Sequence, residues 1–373
     1  MRVVTLENLA RAFIVDRGVA PAAVLAIGAR AATGWRFAAG AHGVRSRERP
    51  AKVHEGTPFD LASVTKPLVA ATIARLVRAG VLDWKTPLAA VLPELSATPT
   101  GPVRLELLIA HRAGVDAHRA LYAPLVSGHA VEPAAMLLAA AESRRADCAG
   151  EPPEEGFAPL YSDLGYLLAG AAASRAAGLR LAELVARETS SVLGLDLASA
   201  ASYAATRPDF LDEVAPTEVV AWRGGEIVGA VHDENAWAYA GHGIAGHAGL
   251  FGTAEGVARF GAAFLDALSG ADTGWLTPVE AHVLSRPRPL GTLRAGFDGK
   301  AAEGSAAGTL FGPKSFGHLG FTGTSIWCDP EAAVVAVILT NRVNPTRDNI
   351  EIRKARPPLH DALFAEACRL REE

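Results

Sequence analysis

Strand-forming sequence is confined to the two ends of this chain, and that distribution limits the folds open to it. Near the N-terminus, residues 22–43 (AAVLAIGARAATGWRFAAGAHG) read as two apolar strands joined at a Thr33-Gly34 turn. Near the C-terminus, Thr324-Ser325-Ile326-Trp327, a turn at Asp329-Pro330 and the β-branched run 333–340 (AVVAVILT) read as a second pair. The stretch between is rich in Ala and Leu. Helical spacing recurs in residues 63–82 (Val69, Ile73, Leu76, Val77), with a break at Asp83-Trp84, and helices are also expected over 133–145, 164–177 and 254–268. An amphipathic helix over residues 1–18 and another over 358–371 flank the strands. The pattern predicts an α/β (α+β) fold: an antiparallel sheet built from both chain ends, flanked by helices, with a large, mostly helical lobe. The sheet region is expected over 1–60 and 275–373 and the helical region over 61–274, the whole of 1–373 forming one functional unit. Its site belongs where lobe meets sheet.

Half of the residues are hydrophobic, 20% are charged, and the net charge is −4, which excludes a disordered chain. The same balance excludes a global basic field, so neither nucleic acid nor an anionic membrane is an expected partner. The densest apolar run elsewhere, residues 332–339, is far shorter than the ~20 residues that span a bilayer. Glu7 and Asp16 interrupt the N-terminal apolar residues, so no secretory leader is read and a cytoplasmic location is expected; a start further upstream would move that expectation to the periplasm. Cys148, Cys328 and Cys368 form no C-x-x-C pair and read as isolated thiols.

Chemistry concentrates in three short segments. Ser63-Val64-Thr65-Lys66 opens the helical pattern as S-x-x-K. Residues three apart share a helical face, so Lys66 lies beside Ser63 and can take its proton, making Ser63 a nucleophile with a built-in base. The positive end of the helix together with burial is expected to lower the Lys66 pKa. Tyr161-Ser162-Asp163 follows an acidic, Pro-rich loop and precedes the helix near Leu164, a position from which the Tyr161 hydroxyl can project into a cleft. His318-Leu319-Gly320 enters the late strand, where His318 and Gly320 share a face; the missing side chain at Gly320 is expected to let a substrate lie against the backbone.

In order, separation and context these segments resemble the three motifs of the serine β-lactamase and penicillin-binding protein superfamily, in its class C, DD-peptidase, D-aminopeptidase and family VIII esterase branch. Residues 107–114 (LLIAHRAG) are similar to that branch's LL-x-H-x-SG segment, and residues 246–254 (GHAGLFGTA) to its GG-L-x-STA loop. The resemblance spans about residues 10–345. It implies an acyl-enzyme on Ser63, proton transfer shared by Lys66 and Tyr161, an oxyanion hole from the backbone N–H groups of Ser63 and Phe321, and substrate contacts at Asp163, His318 and Gly320. No cofactor is implied.

Three departures shape the expected substrate. Asp163 stands where peptidases usually carry an Asn that donates to a substrate carbonyl, His318 where many members carry Lys, and Leu319 where Thr is usual. A neutral imidazole and an alkyl chain anchor a carboxylate weakly, which favours small esters or D-amino-acid-type amides over cell-wall peptides and β-lactams. A DD-carboxypeptidase or β-lactamase is the second reading. A non-catalytic module that traps an acyl group is the third. His232, Asp233, Glu234, Asn235, His242 and His247 match no metal-ligand spacing, so no metal is expected and the segment reads as cleft rim. Arg342 and Arg347 read as solvated surface charges that could also face a substrate carboxylate.

Overall fold

A computed structural model describes residues 5–372. Its centre is a six-stranded antiparallel sheet. The strands are β1 (Ala22–Ala31), β2 (Gly34–Gly43), β3 (Asp298–Gly299), β4 (Phe316–Leu319), β5 (Ser325–Asp329) and β6 (Val334–Thr340), in the spatial order β2-β1-β6-β5-β4-β3. The N-terminal hairpin thus pairs with the last strand of the chain, with Ile27 opposite Ala336, and the order β6-β5-β4 continues through Ile326 opposite Val337 and His318 opposite Ile326. This is the sheet expected from the two chain ends. The first hairpin turns at Ala32-Thr33, one residue earlier than expected, because Gly34 already pairs with Ala31.

Strands β1 and β6 are buried on both faces, which explains why their sequences run apolar without alternation. Val24, Ala26, Val335, Val337 and Leu339 face the larger core with the helical lobe. Leu25, Ile27, Val334, Ala336 and Ile338 face a second core closed by the N-terminal helix Leu6–Ala10 and the last helix. Four helices position the site: α1 (Thr65–Arg78), α2 (Asp163–Ala177), α3 (Ala254–Ser269) and α4 (Ile352–Glu372). Helix α3 lies on the lobe side of the sheet through Phe260 and Phe264, and α4 covers the other side through Leu359 and Leu363.

The expected helix boundaries shift where side chains intervene. Helix α4 begins six residues before Pro358, because Arg356 braces its first turns against the carbonyls of Gly320 and Thr324. Helix α1 ends at Arg78, ahead of the Asp83-Trp84 break, and Ser63 sits on a separate 3-10 turn, Ala62–Val64, just before α1. The helix expected over 1–18 is observed as Leu6–Ala10 followed by a wider turn over Arg11–Val15; Met1 to Val4 lie outside the described residues. Sequence reading also missed a three-stranded sheet in the middle of the chain, in which Phe59–Asp60 and Leu197–Ser199 flank Leu250–Gly252. All three cysteines are free thiols. No helix among the described residues is long and apolar enough to cross a membrane.

Candidate active site

Strand Phe59–Asp60 delivers the chain to Ser63 through a constrained elbow. Ala62 holds a φ of 47°, the left-handed region that costs a residue with a side chain about 1–3 kcal/mol. Asp60 holds it there: one buried carboxylate oxygen accepts the Ala62 N–H at 2.8 Å and the other the His232 N–H at 2.7 Å. Burial raises the Asp60 pKa against these two bonds. The hydroxyls of Thr322 and Thr324 donate to the carbonyls of Asp60 and Leu61 at 2.8 and 2.9 Å, stapling the loop after β4 to the elbow. Nothing in the spacing of the sequence marks Asp60, because its second partner, His232, comes from a distant segment.

Lys66 is fully buried one turn beyond Ser63. Its ammonium reaches Ser63 Oγ at 2.8 Å, the Tyr161 hydroxyl at 2.6 Å and Asp163 Oδ1 at 2.7 Å, so its three donors meet three acceptors. This corrects the expected pKa. Burial by itself lowers it, but the Asp163 carboxylate and the Tyr161 oxygen outweigh burial and the net direction is upward. Asp163 meets Lys66 through one carboxylate oxygen and also lines the cavity. Burial also raises the Tyr161 pKa, against the attraction of the Lys66 charge.

Tyr161 is set by its neighbours. Ser162 caps α2 by accepting the Gly165 N–H at 3.0 Å, donates its hydroxyl to the Asp116 carbonyl at 2.6 Å, and gives its backbone N–H to His111 Nδ1 at 3.0 Å. The His111 ring stacks on Tyr161 with centroids 4.7 Å apart. Burial and the Lys66 charge hold the His111 pKa well below its ordinary value, which keeps Nδ1 free to accept. The histidine of the LLIAHRAG segment therefore acts through Tyr161.

The third wall is β4 and the loop after it. His318 is buried, its Nδ1 lies 2.9 Å from the Leu319 carbonyl, and its pKa is lowered to about 3 by burial and then by the Lys66 charge. It is uncharged at neutral pH, and its other ring nitrogen is an acceptor. Gly320 lines the cavity and meets a second requirement besides the expected one. A Cβ there would meet Thr324 Oγ1 at 1.9 Å and the Leu61 carbonyl at 2.6 Å, so the glycine permits the loop to pack on the elbow. Phe321 is half exposed, with the His232 ring stacked 5.7 Å from it and the Arg342 guanidinium 4.4 Å over its face. Nearby loop bonds satisfy the N–H groups of Ala62, Val64, Gly320 and Gly323 and leave those of Ser63 and Phe321 without a protein acceptor among the described residues.

Ser63, Tyr161, Asp163, His318, Gly320 and Phe321 line one cavity of about 680 Å³, with Lys66 beneath its floor. His232, Asp233 and Glu234 also line it, as a cleft rim would. His232 pairs with Glu218 at 3.0 Å and His247 with Asp233 at 2.9 Å, while His242 is exposed; among the described residues no three such side chains gather as a metal would need. The surface reading of Arg342 and Arg347 is overturned. Both line the cavity, Arg342 is 7% exposed, and Arg347 is locked to Glu218 and Glu234.

A serine on a turn before a helix, a lysine one turn on, and a tyrosine just ahead of a second helix meet at one cavity. The chain belongs to the Beta-lactamase family, whose model matches residues 10–357, and is a hydrolase of the serine β-lactamase and penicillin-binding protein superfamily. It is 27% identical over 319 residues to the N-acetylmuramyl-L-alanine amidase of Bacillus subtilis, covering 79% of this chain and 70% of that one. Among solved structures, EstCE1, a hydrolase with promiscuous acyltransferase activity, shares the fold at a TM-score of 0.69 and 22% identity, over 94% of this chain and 97% of that one. The octameric penicillin-binding protein homologue from Pyrococcus abyssi also has a TM-score of 0.69, at 18% identity over 95% and 75% of the two chains.

Proposed function

We propose that the protein is a serine hydrolase that forms an acyl-Ser63 intermediate on small esters or D-amino-acid-type amides. The observation that carries this reading is the Lys66 ammonium joined at once to Ser63, Tyr161 and Asp163. That the Bacillus subtilis relative is an amidase supports amides among the substrates.

Because Asp163 holds Lys66 charged, proton transfer has to begin within that ion pair. A proton moves from Lys66 Nζ to Asp163 Oδ1 across 2.7 Å, and Lys66 then takes the Ser63 hydroxyl proton across 2.8 Å as Ser63 Oγ bonds to the substrate carbonyl carbon. The N–H groups of Ser63 and Phe321 receive the oxyanion, an arrangement worth about 2.7–4 kcal/mol per donor in comparable sites. Tyr161 gives its hydroxyl proton to the leaving group as the carbon–heteroatom bond breaks and is reprotonated from Lys66 at 2.6 Å, and Asp163 then returns its proton to Lys66, which restores the ion pair. Deacylation repeats the sequence with water in place of Ser63.

The test is intact-protein mass spectrometry during exposure to a panel of p-nitrophenyl esters and D-amino-acid anilides, followed by peptide mapping. A single acyl adduct on Ser63, absent from Ser63→Ala, is expected. An adduct on Ser162 or Ser325 with full activity in Ser63→Ala would overturn the assignment.

A further inference from the structure

The Phe321 N–H belongs to the peptide unit that begins with the Gly320 carbonyl. A trans peptide is planar and its C=O and N–H point in opposite directions, so whatever holds the Gly320 oxygen also aims the Phe321 N–H. Arg356, from the first turns of α4, holds that oxygen: its Nη2 donates to the carbonyls of Gly320 at 2.9 Å and Thr324 at 2.8 Å. The next carbonyl along the chain, that of Phe321, accepts from Arg342 Nε at 2.7 Å. Both peptide units that meet at Phe321 are therefore fixed by guanidinium groups, and the Gly320 N–H closes the turn on the Thr324 carbonyl at 2.7 Å.

The two N–H groups assigned to the oxyanion differ in what lies behind them. That of Ser63 belongs to the peptide beginning with the Ala62 carbonyl, whose oxygen accepts the backbone N–H of Thr65, a neutral donor. Behind the Phe321 N–H lies a charge. Arg356 is 7% exposed and has no carboxylate within ion-pair distance among the described residues. Burial, then the charges of Arg342 and Arg353, lowers its pKa to about 9, so it remains a cation at neutral pH. A cation on the carbonyl oxygen polarises the peptide unit and makes its N–H the stronger donor, an effect that grows where little water intervenes. Carbonyl oxygens satisfy the geometry of the guanidinium without cancelling its charge, and negative charge forming at the other end of the peptide would offset it.

We propose that Arg356 is a positioning residue for acyl transfer: it aims and polarises the Gly320–Phe321 peptide, so that the Phe321 N–H meets the oxyanion as the charge-assisted donor of the two. The inference rests on the acyl-Ser63 reading and deepens it. Arg356 acts through the backbone, so its contribution is to the transition state and extends to substrates that carry no charge.

The experiment uses the full chain and an uncharged ester, p-nitrophenyl butyrate, with Arg356→Met, which removes the charge and the donors, and Arg356→Lys, which keeps the charge. Arg356→Met should lower kcat and kcat/KM together by at least ~10-fold while KM changes less than about threefold, the signature of an interaction made only in the transition state. Arg356→Lys should keep at least about a third of the wild-type kcat. Infrared spectra of the acyl-enzyme formed from p-nitrophenyl trimethylacetate labelled with 13C at the carbonyl read the hydrogen bond directly: the ester band should lie at higher wavenumber in Arg356→Met than in the wild type, with Arg356→Lys between. Band position and KM do not depend on how much of the protein is folded, so they separate positioning from lost stability, and if Arg356→Met does not fold the band of Arg356→Lys carries the comparison. An unchanged band overturns the inference, as does a rise in KM that accounts for the whole loss in kcat/KM. A wild type that forms no adduct on Ser63 overturns the acyl-Ser63 reading instead.

Discussion

The two walls of the cavity treat charge in opposite ways. On the helical-lobe side the ion pairs at the cavity are closed, Lys66 with Asp163 and Asp233 with His247. On the side formed by β4, the segment after β6 and the start of α4, His318 is uncharged, Arg347 is paired with Glu218 and Glu234, and Arg342, Arg353 and Arg356 face the cavity with no carboxylate within ion-pair distance among the described residues. A compensated wall keeps its geometry and protonation whether or not a ligand is present. An uncompensated wall is completed only by what binds. The contrast separates chemistry, which must be preorganised, from recognition, which can use the ligand's own charge.

The largest effects should come from breaking the compensated wall. Lys66→Ala and Tyr161→Phe should each lower kcat by at least ~100-fold, since acid–base assistance is commonly worth about 10²- to 10⁴-fold. Single-turnover kinetics of the double variant should show far less than the product of the two losses, because the residues act as one proton-transfer unit; a multiplicative loss would separate them. Gly320→Ala tests the join between the walls. A Cβ driven against Leu61 O and Thr324 Oγ1 should destabilise the protein by about 1–3 kcal/mol, and an unchanged melting temperature would show that the loop is not packed against the elbow as described.

Asp163→Asn probes the charge balance directly. In the wild type the Lys66–Asp163 pair holds one shared proton, so kcat/KM should be flat between about pH 6 and about pH 9. Without the carboxylate the Lys66 pKa falls, and the active form becomes neutral Lys66 alone. Activity should then rise with pH, by about tenfold or more across that range, and a profile that stays flat would remove Asp163 from the proton path. The smallest effect is expected from His318→Lys. It adds a cation where burial and the Lys66 charge already disfavour one, so the ratio of kcat/KM for p-nitrophenyl hemiglutarate to that for p-nitrophenyl valerate should change by less than about fivefold; a gain above about tenfold would show that a cation in the third motif anchors a substrate carboxylate.

Much of the site was legible in the sequence because its strongest signals are local. Ser63 and Lys66 are one helical turn apart, Tyr161 abuts the N-cap Ser162 of the helix after it, and Gly320 follows His318 by two residues, just past the end of β4, so short spacings announce them. Asp60 carries no such mark, and His111 carries only its place in the LLIAHRAG segment. Asp60 works through bonds to Ala62 and to His232, 172 residues away, and His111 through Ser162 and Tyr161, which the fold brings to it. The arginines illustrate the same point from the other side, since whether a guanidinium is a surface charge or a cavity wall depends on which carboxylates fold beside it.

By itself, then, the sequence determined the sheet drawn from both chain ends, the helical lobe, and the placing of Lys66 beside Ser63, because periodicity and i,i+3 spacing are properties of contiguous chain. Only the tertiary structure decided the direction in which the Lys66 pKa moves, the packing that Gly320 permits, and which of the cavity's arginines lack a carboxylate partner among the described residues. Those properties are sums of desolvation and Coulomb interactions over groups far apart in the chain, and no local pattern encodes such a sum before the chain has folded.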